Sequence, residues 1–145
     1  MTAGVTLRAY AVDVVKEPYT PSHEIAYCMG LIVGEGSFTG DKLAPALQAR
    51  LHDSDPEPLL DLQRVFGGSI YGPYVHGGRH YVFWKLVGWQ LLEALPYVDR
   101  WLPPSRKRRQ FDQWRARWRG YFARLIYVSR FSSTTGQRAG LGKAG

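Results

Sequence analysis

Two glycines four residues apart inside an apolar run, followed at once by an acid, constrain this chain more than any other feature. The stretch is Cys28-Met29-Gly30-Leu31-Ile32-Val33-Gly34-Glu35-Gly36-Ser37-Phe38, and the apolar run over 25–33 reads as a buried helix broken by Gly34 and Gly36. Residues four apart share one face of a helix. A glycine inside a soluble helix costs about 1 kcal/mol against alanine, so two on one face ask for close approach of a second helix backbone. Glu35 would then stand at a helix C-terminus, where the dipole disfavours negative charge and a bound cation would relieve it. The fragment is equally compatible with a buried helix that stops at its glycines and leaves Glu35 solvated.

The remaining pattern alternates short helices and strands. Thr20-Pro21-Ser22 is a helix entry that puts Pro21 at the first helical position and Glu24 in the first turn. A strand is expected over 37–42. Over 46–53 the residues alternate, with Leu47, Ala49 and Leu51 to one side and Gln48, Arg50 and His52 to the other. Asp55 is expected to cap a helix with Pro56 at its first position and Leu59, Leu62 (or Leu60) and Phe66 as its buried stripe, ending at Gly67-Gly68. Strands over 70–75 and 79–87 make a hairpin across His76-Gly77-Gly78, with Val82, Trp84 and Leu86 on one face and Tyr81, Phe83 and Lys85 on the other. A helix over 89–97 is expected to end at Pro96, and Ser105 to cap a basic helix running to about Trp118. The order predicts an α+β domain, αββαββα, over 20–128, with one four-stranded, mainly antiparallel sheet. Residues 1–19 read as an arm, and 129–145, rich in Gly, Ser and Thr with Arg138 and Lys143, as a flexible basic tail.

Charge separates the two ends of the chain. Residues 1–99 hold 7 basic and 11 acidic side chains, whereas 100–145 hold 12 basic and 1 acidic, Asp112. Counterion release rewards each Lys or Arg placed beside a phosphate, so a basic third on a mildly acidic body points to nucleic acid ahead of a membrane surface. A solvated basic tail is the plainer reading. At 145 residues, 45% of them hydrophobic, the chain is one domain's worth and not a disordered segment. No run approaches the ~18 apolar residues of a membrane span. Arg8, Asp13, Lys16 and Glu17 interrupt what a secretory signal would need. The single cysteine, Cys28, allows neither an internal disulfide nor a cysteine-rich zinc site. An intracellular setting and no membrane partner are therefore expected.

The segment around Gly30 resembles the LAGLIDADG motif of homing endonucleases, with Gly30, Leu31, Ile32 and Gly36 matching, Glu35 in the place of the last acid and Val33 replacing the first. The resemblance continues from about Ser22 to Arg119 through Asp55-Pro56-Glu57, Phe66-Gly67-Gly68, Trp84-Lys85-Leu86-Val87-Gly88, Pro96-Tyr97-Val98 and Lys107-Arg108-Arg109-Gln110. It implies a homing-endonuclease-like fold whose four-stranded antiparallel saddle sheet straddles double-stranded DNA. It also implies a homodimer, since the chain carries one motif, with Tyr27, Gly30, Leu31 and Gly34 at the interface and a near-palindromic target. The implied activity is sequence-specific hydrolysis of a phosphodiester in each strand. Its cation would be Mg²⁺, with Mn²⁺ and similar ions as substitutes, held by Glu35 and the Gly34 carbonyl. Lys107 matches the family's basic residue near the scissile phosphate, and reads otherwise as a plain phosphate contact among Arg106, Arg108 and Arg109. Asp53 stands where relatives often carry a water-positioning Gln, and adds a carboxylate that would bind metal or repel phosphate.

Base reading would fall to the polar face of the sheet: Gln48, Arg50, His52, Tyr71, Arg79, Tyr81 and Lys85. Arg forks onto guanine and Gln onto adenine in the major groove, although over half of protein–DNA hydrogen bonds go to the backbone. Tyr81 and Phe83 read equally as surface packing. His23, His52, His76 and His80 lack metal-ligand spacing, Cys28 reads as inert packing, and Trp101, Trp114 and Trp118 as core. A non-cutting DNA-binding regulator or intron RNA maturase on the same scaffold is the alternative. A protein-interaction module using the glycine seam is disfavoured by the basic third.

Overall fold

The computed structural model describes residues 21–141, with side chains to 130. The expected arm over 1–19 and the last four residues, 142–145, lie outside the described residues. The elements run α1 (His23–Glu35), β1 (Gly36–Gly40), β2 (Pro45–His52), α2 (Glu57–Phe66), β3 (Ser69–His76), β4 (Arg79–Leu86), α3 (Gly88–Trp101), α4 (Arg106–Arg117) and α5 (Arg119–Leu141). The strands form one open antiparallel sheet in the order β1-β2-β4-β3. This is the expected α+β architecture.

One face of the sheet carries the core. Leu47 and Ala49 of β2 and Val82, Trp84 and Leu86 of β4 are buried, and against them pack Ile32, Leu59, Leu62, Leu91, Leu95, Val98 and Phe111 from the helices. Burying each such side chain contributes about 1.5–3 kcal/mol. The two large indoles satisfy their polar atoms: Trp84 Nε1 donates to the Gly67 carbonyl at 2.8 Å and Trp114 Nε1 to Thr39 at 2.7 Å. The hairpin turns at Gly77 and Gly78, both at positive φ (58° and 75°), a conformation in which a side chain would be strained.

Several boundaries differ from expectation. Helix α2 starts at Glu57 with Pro56, not Asp55, as its N-cap and no side-chain capping bond, and α1 runs through Gly34 to Glu35 before Gly36 ends it. Ser22, not a residue before Pro21, caps α1, its Oγ accepting from Ile25 N–H at 3.2 Å, so Pro21 stays outside the helix. Helix α3 passes through Pro96 instead of ending there. An internal proline removes one hydrogen bond and costs about 3 kcal/mol. Pro96 faces solvent, while Val98 and Leu102 beyond it are buried and offset that cost. The expected tail is also helical where it is described: α5 continues over 129–141. No proline follows Pro104, and Gly136 and Gly140 lower helix propensity without removing a donor.

Candidate functional site

Helix α1 has a filled side and a bare one. Cys28, Met29 and Ile32 are buried in the core. On the opposite side Tyr27, Gly30 and Gly34 are exposed, and a Cβ built at either glycine would meet nothing within 4 Å. The close approach that these glycines ask for is therefore not made among the described residues. Leu31, expected beside them, turns partly into the core. Glu35 closes the helix and is exposed. The next residue is tightly constrained: Gly36 is buried, and a Cβ there would lie 2.6 Å from the Ile32 carbonyl oxygen.

Lys107 reaches this same corner from α4, its Nζ donating to the Gly36 carbonyl. The lysine is held by how α4 docks. Ser105 caps the helix by accepting from Arg108 N–H at 3.1 Å. Phe38 of β1 packs against Phe111 and Trp114, with ring centroids 5.1 and 5.2 Å away. Between β1 and α4 opens a cleft of about 560 Å³ lined by Ser37, Lys107, Gln110, Gln113 and Arg117 among others. Sequence reasoning missed Gln113 and Arg117, and met Gln110 only as a letter of the matching block, with no role. Their spacing from Lys107, by threes and a four, is the helical signal that would have found them.

Glu35 itself lines a second cleft, of about 570 Å³, with Arg50, Leu51, His52, His76, Gly78, Arg79, His80 and Tyr81. A lone carboxylate thus faces a wall of cations and imidazoles. Asp53 lies at the end of β2, its two oxygens 3.3 Å from His52 Nδ1 and 3.5 Å from His80 Nδ1. His52 Nδ1 is also 2.8 Å from Ser54 Oγ. Among the described residues, no three His, Cys, Asp or Glu side chains are grouped to hold a metal.

The open face of the sheet collects the other expected residues into cross-strand rows. Gln48 pairs with Lys85, Arg50 with Phe83, and His52 with Tyr81. Tyr71 lies opposite Phe83, and Tyr74 opposite Tyr81. Tyr71 and Tyr74 are three apart and would point to opposite faces of a regular strand. A bulge between them, at Gly72-Pro73, restores both to the same face. Sequence reasoning missed Tyr74 for this reason, and the Gly-Pro step was the available signal. The Arg50 guanidinium lies 4.4 Å from the Tyr81 ring centroid. No strand of the sheet contains an Asp or Glu.

Of the basic cluster opening α4, Arg106 and Arg109 are exposed. Arg108 departs from the expected phosphate contact. Its guanidinium donates to the Asp99 carbonyl and pairs with the side chains of Asp99 and Asp112, each at 3.3 Å. It ties α4 to the end of α3, satisfying carbonyls that a helix C-terminus leaves without partners. Cys28 is buried, and burial pushes its thiol up to about 11 with Asp61 adding to the shift, as befits inert packing. No helix of the described residues is long and apolar enough to cross a membrane.

The fold is that of LAGLIDADG homing endonucleases. The homing endonuclease I-TnaI matches 73% of this chain over 74% of its own, at 18% identity and a TM-score of 0.56. The I-SmaMI LAGLIDADG homing endonuclease bound to cleaved DNA matches 72% of this chain over 39% of its own, at 20% identity and a TM-score of 0.55. The group I intron-encoded homing endonuclease I-CeuI, complexed with DNA, matches 92% over 72%, at 14% identity and a TM-score of 0.53. Against I-GzeII and I-SmaMI the chain spans only 34–39% of the partner's length. No protein-family profile and no curated protein matches the chain.

Proposed function

We propose that this chain is a sequence-specific double-strand DNA endonuclease that works as a homodimer with a divalent cation. The observation that carries the reading is the bare Tyr27–Gly30–Gly34 face of α1 ending in Glu35, with Lys107 anchored one residue away at Gly36. Two copies joined through those glycines would set two Glu35 carboxylates near a two-fold axis, one for each strand of a near-palindromic duplex. The acid-free face of the sheet, with Gln48, Arg50 and Lys85, suits the major groove.

The donors of this corner fit a hard cation: an exposed carboxylate at Glu35, and the Gly34 carbonyl in a last helical turn that leaves such oxygens without intrahelical partners. Mg²⁺ binds through one or two carboxylates plus substrate phosphates and keeps several waters, so Glu35 with the Gly34 carbonyl would be enough to hold it. When bound, the cation supplies charge stabilisation for the attacking and leaving oxygens of an in-line displacement. Lys107 would orient the attacking water or hold its proton. Asp53, between His52 and His80, would orient groups at the edge of the same cleft.

A duplex selected from a random pool and incubated with protein and Mg²⁺ should be cut in both strands. Glu35→Gln should bind that duplex with near-native affinity and cut it at least 10³-fold more slowly, on the order of the loss of one transition-state charge contact. Binding by the natural chain without any cleavage would leave a non-cutting regulator or maturase instead. Lys107→Met should slow single-turnover cleavage about 10²-fold with affinity nearly unchanged; equal losses in both would make Lys107 a phosphate anchor.

A further inference from the structure

Four aromatic rings form a ridge on the open face of the β3–β4 arm. Phe83 stacks against Tyr71 and Tyr74, with centroids 5.1 and 5.9 Å away and ring planes 27° apart in both pairs. Tyr74 also packs on Tyr81 at 5.6 Å, and Arg50 sits over the Tyr81 ring. Tyr71 and Tyr74 are more than two-fifths exposed, so the ridge is accessible. The bulge at Gly72-Pro73 is what brings the second tyrosine into it.

A sheet that binds unpaired bases offers them free ring faces to stack on. Here Phe83 is stacked by Tyr71 and Tyr74, and the Tyr81 ring is flanked by Tyr74 and Arg50, so the rings form one joined apolar surface. Such a surface can recognise one feature of the major groove, the C5-methyl group of a pyrimidine. The strands around the ridge carry Arg50, Arg79 and Lys85 and no acid, which suits a polyanion better than a protein partner.

We propose that this ridge, centred on Phe83, reads a C5-methyl group, that of thymine or of 5-methylcytosine, at one position in each half of the target. The inference rests on the DNA-binding reading above and adds a base preference to it. The test uses the full chain and the duplex it selects from a random pool, with deoxyuridine replacing thymine one position at a time. One position per half-site should lose about fourfold in affinity, the worth of one buried methyl. At that position a 5-methylcytosine pair should bind about fourfold better than an unmethylated one, and both differences should vanish in Phe83→Ala.

Binding that is indifferent to deoxyuridine everywhere would overturn the methyl assignment and leave DNA binding intact. A preference for thymine that deoxyuridine reproduces would overturn it too, in favour of a hydrogen bond to O4. A methyl effect undiminished in Phe83→Ala, or an Phe83→Ala protein indistinguishable from the natural chain, would remove the ridge from the readout and leave it for a protein partner. Failure to select any duplex would overturn both this inference and the reading beneath it.

Discussion

Gly36 and the pair Gly30–Gly34 belong to one motif and have opposite surroundings. A side chain at 36 would collide with the Ile32 backbone, whereas at 30 or 34 it would project into open space. Gly36 serves the chain's own turn from α1 into β1. The other two serve no contact among the described residues, although each weakens the helix by about 1 kcal/mol against alanine. The contrast separates what the motif does for the fold from what it leaves open at the surface, where the proposed dimer contact would form.

The largest effect should come from Gly36→Ala. Overpacking against a backbone carbonyl that cannot move aside should lower the stability to urea by about 3 kcal/mol. An unchanged midpoint would mean that the turn is looser than its geometry, and the contrast would fail. Gly34→Ala should do the reverse, raising the stability of the isolated chain by about 1 kcal/mol. Sedimentation velocity on the same variant should show weakened self-association; undiminished association would place the seam elsewhere.

The smallest effect concerns Cys28, on the filled side of the same helix. Its thiol is raised from an ordinary value of 9.0 to about 11. A folded value above the unfolded one favours the protonated thiol, so its contribution is fully present below pH 9 and is lost as the pH rises through about 11. At pH 8 an alkylating reagent should leave Cys28 untouched over a period in which the urea-unfolded chain reacts completely. Rapid modification would put Cys28 on the bare side and blur the distinction.

What the sequence disclosed was local. The glycine spacing of α1, the Gly77-Gly78 turn and the alternation of Val82, Trp84 and Leu86 each depend on residues a few positions apart, and each appears in the structure as expected. The placement of the candidate residues was legible to the same extent: Glu35 at the end of its helix, and Gln48, Arg50 and Lys85 on one face by the parity of their strands. The parts that could not be read depend on distant geometry. Arg108 had the composition of a phosphate ligand, and only the place where α3 stops, beyond Pro96, supplies the carbonyls it binds instead. Tyr74 was hidden because one extra residue in β3 reverses its side of the sheet. The row from Lys107 to Arg117 became a cleft wall only once β1 lay beside α4.

The bulge in β3 has a second consequence, for the protein's life in concentrated solution. Strand β3 is an outer strand of the sheet, exposed along most of its length and rich in aromatic and β-branched residues. Such a border is a template for a stray strand from a neighbouring molecule. Pro73 lacks the amide hydrogen that an incoming strand would need, and the extra residue breaks the ladder's repeat at the same point. The kink that swings Tyr74 round to join the ridge therefore also interrupts the regular repeat that an added strand would have to match along this rim.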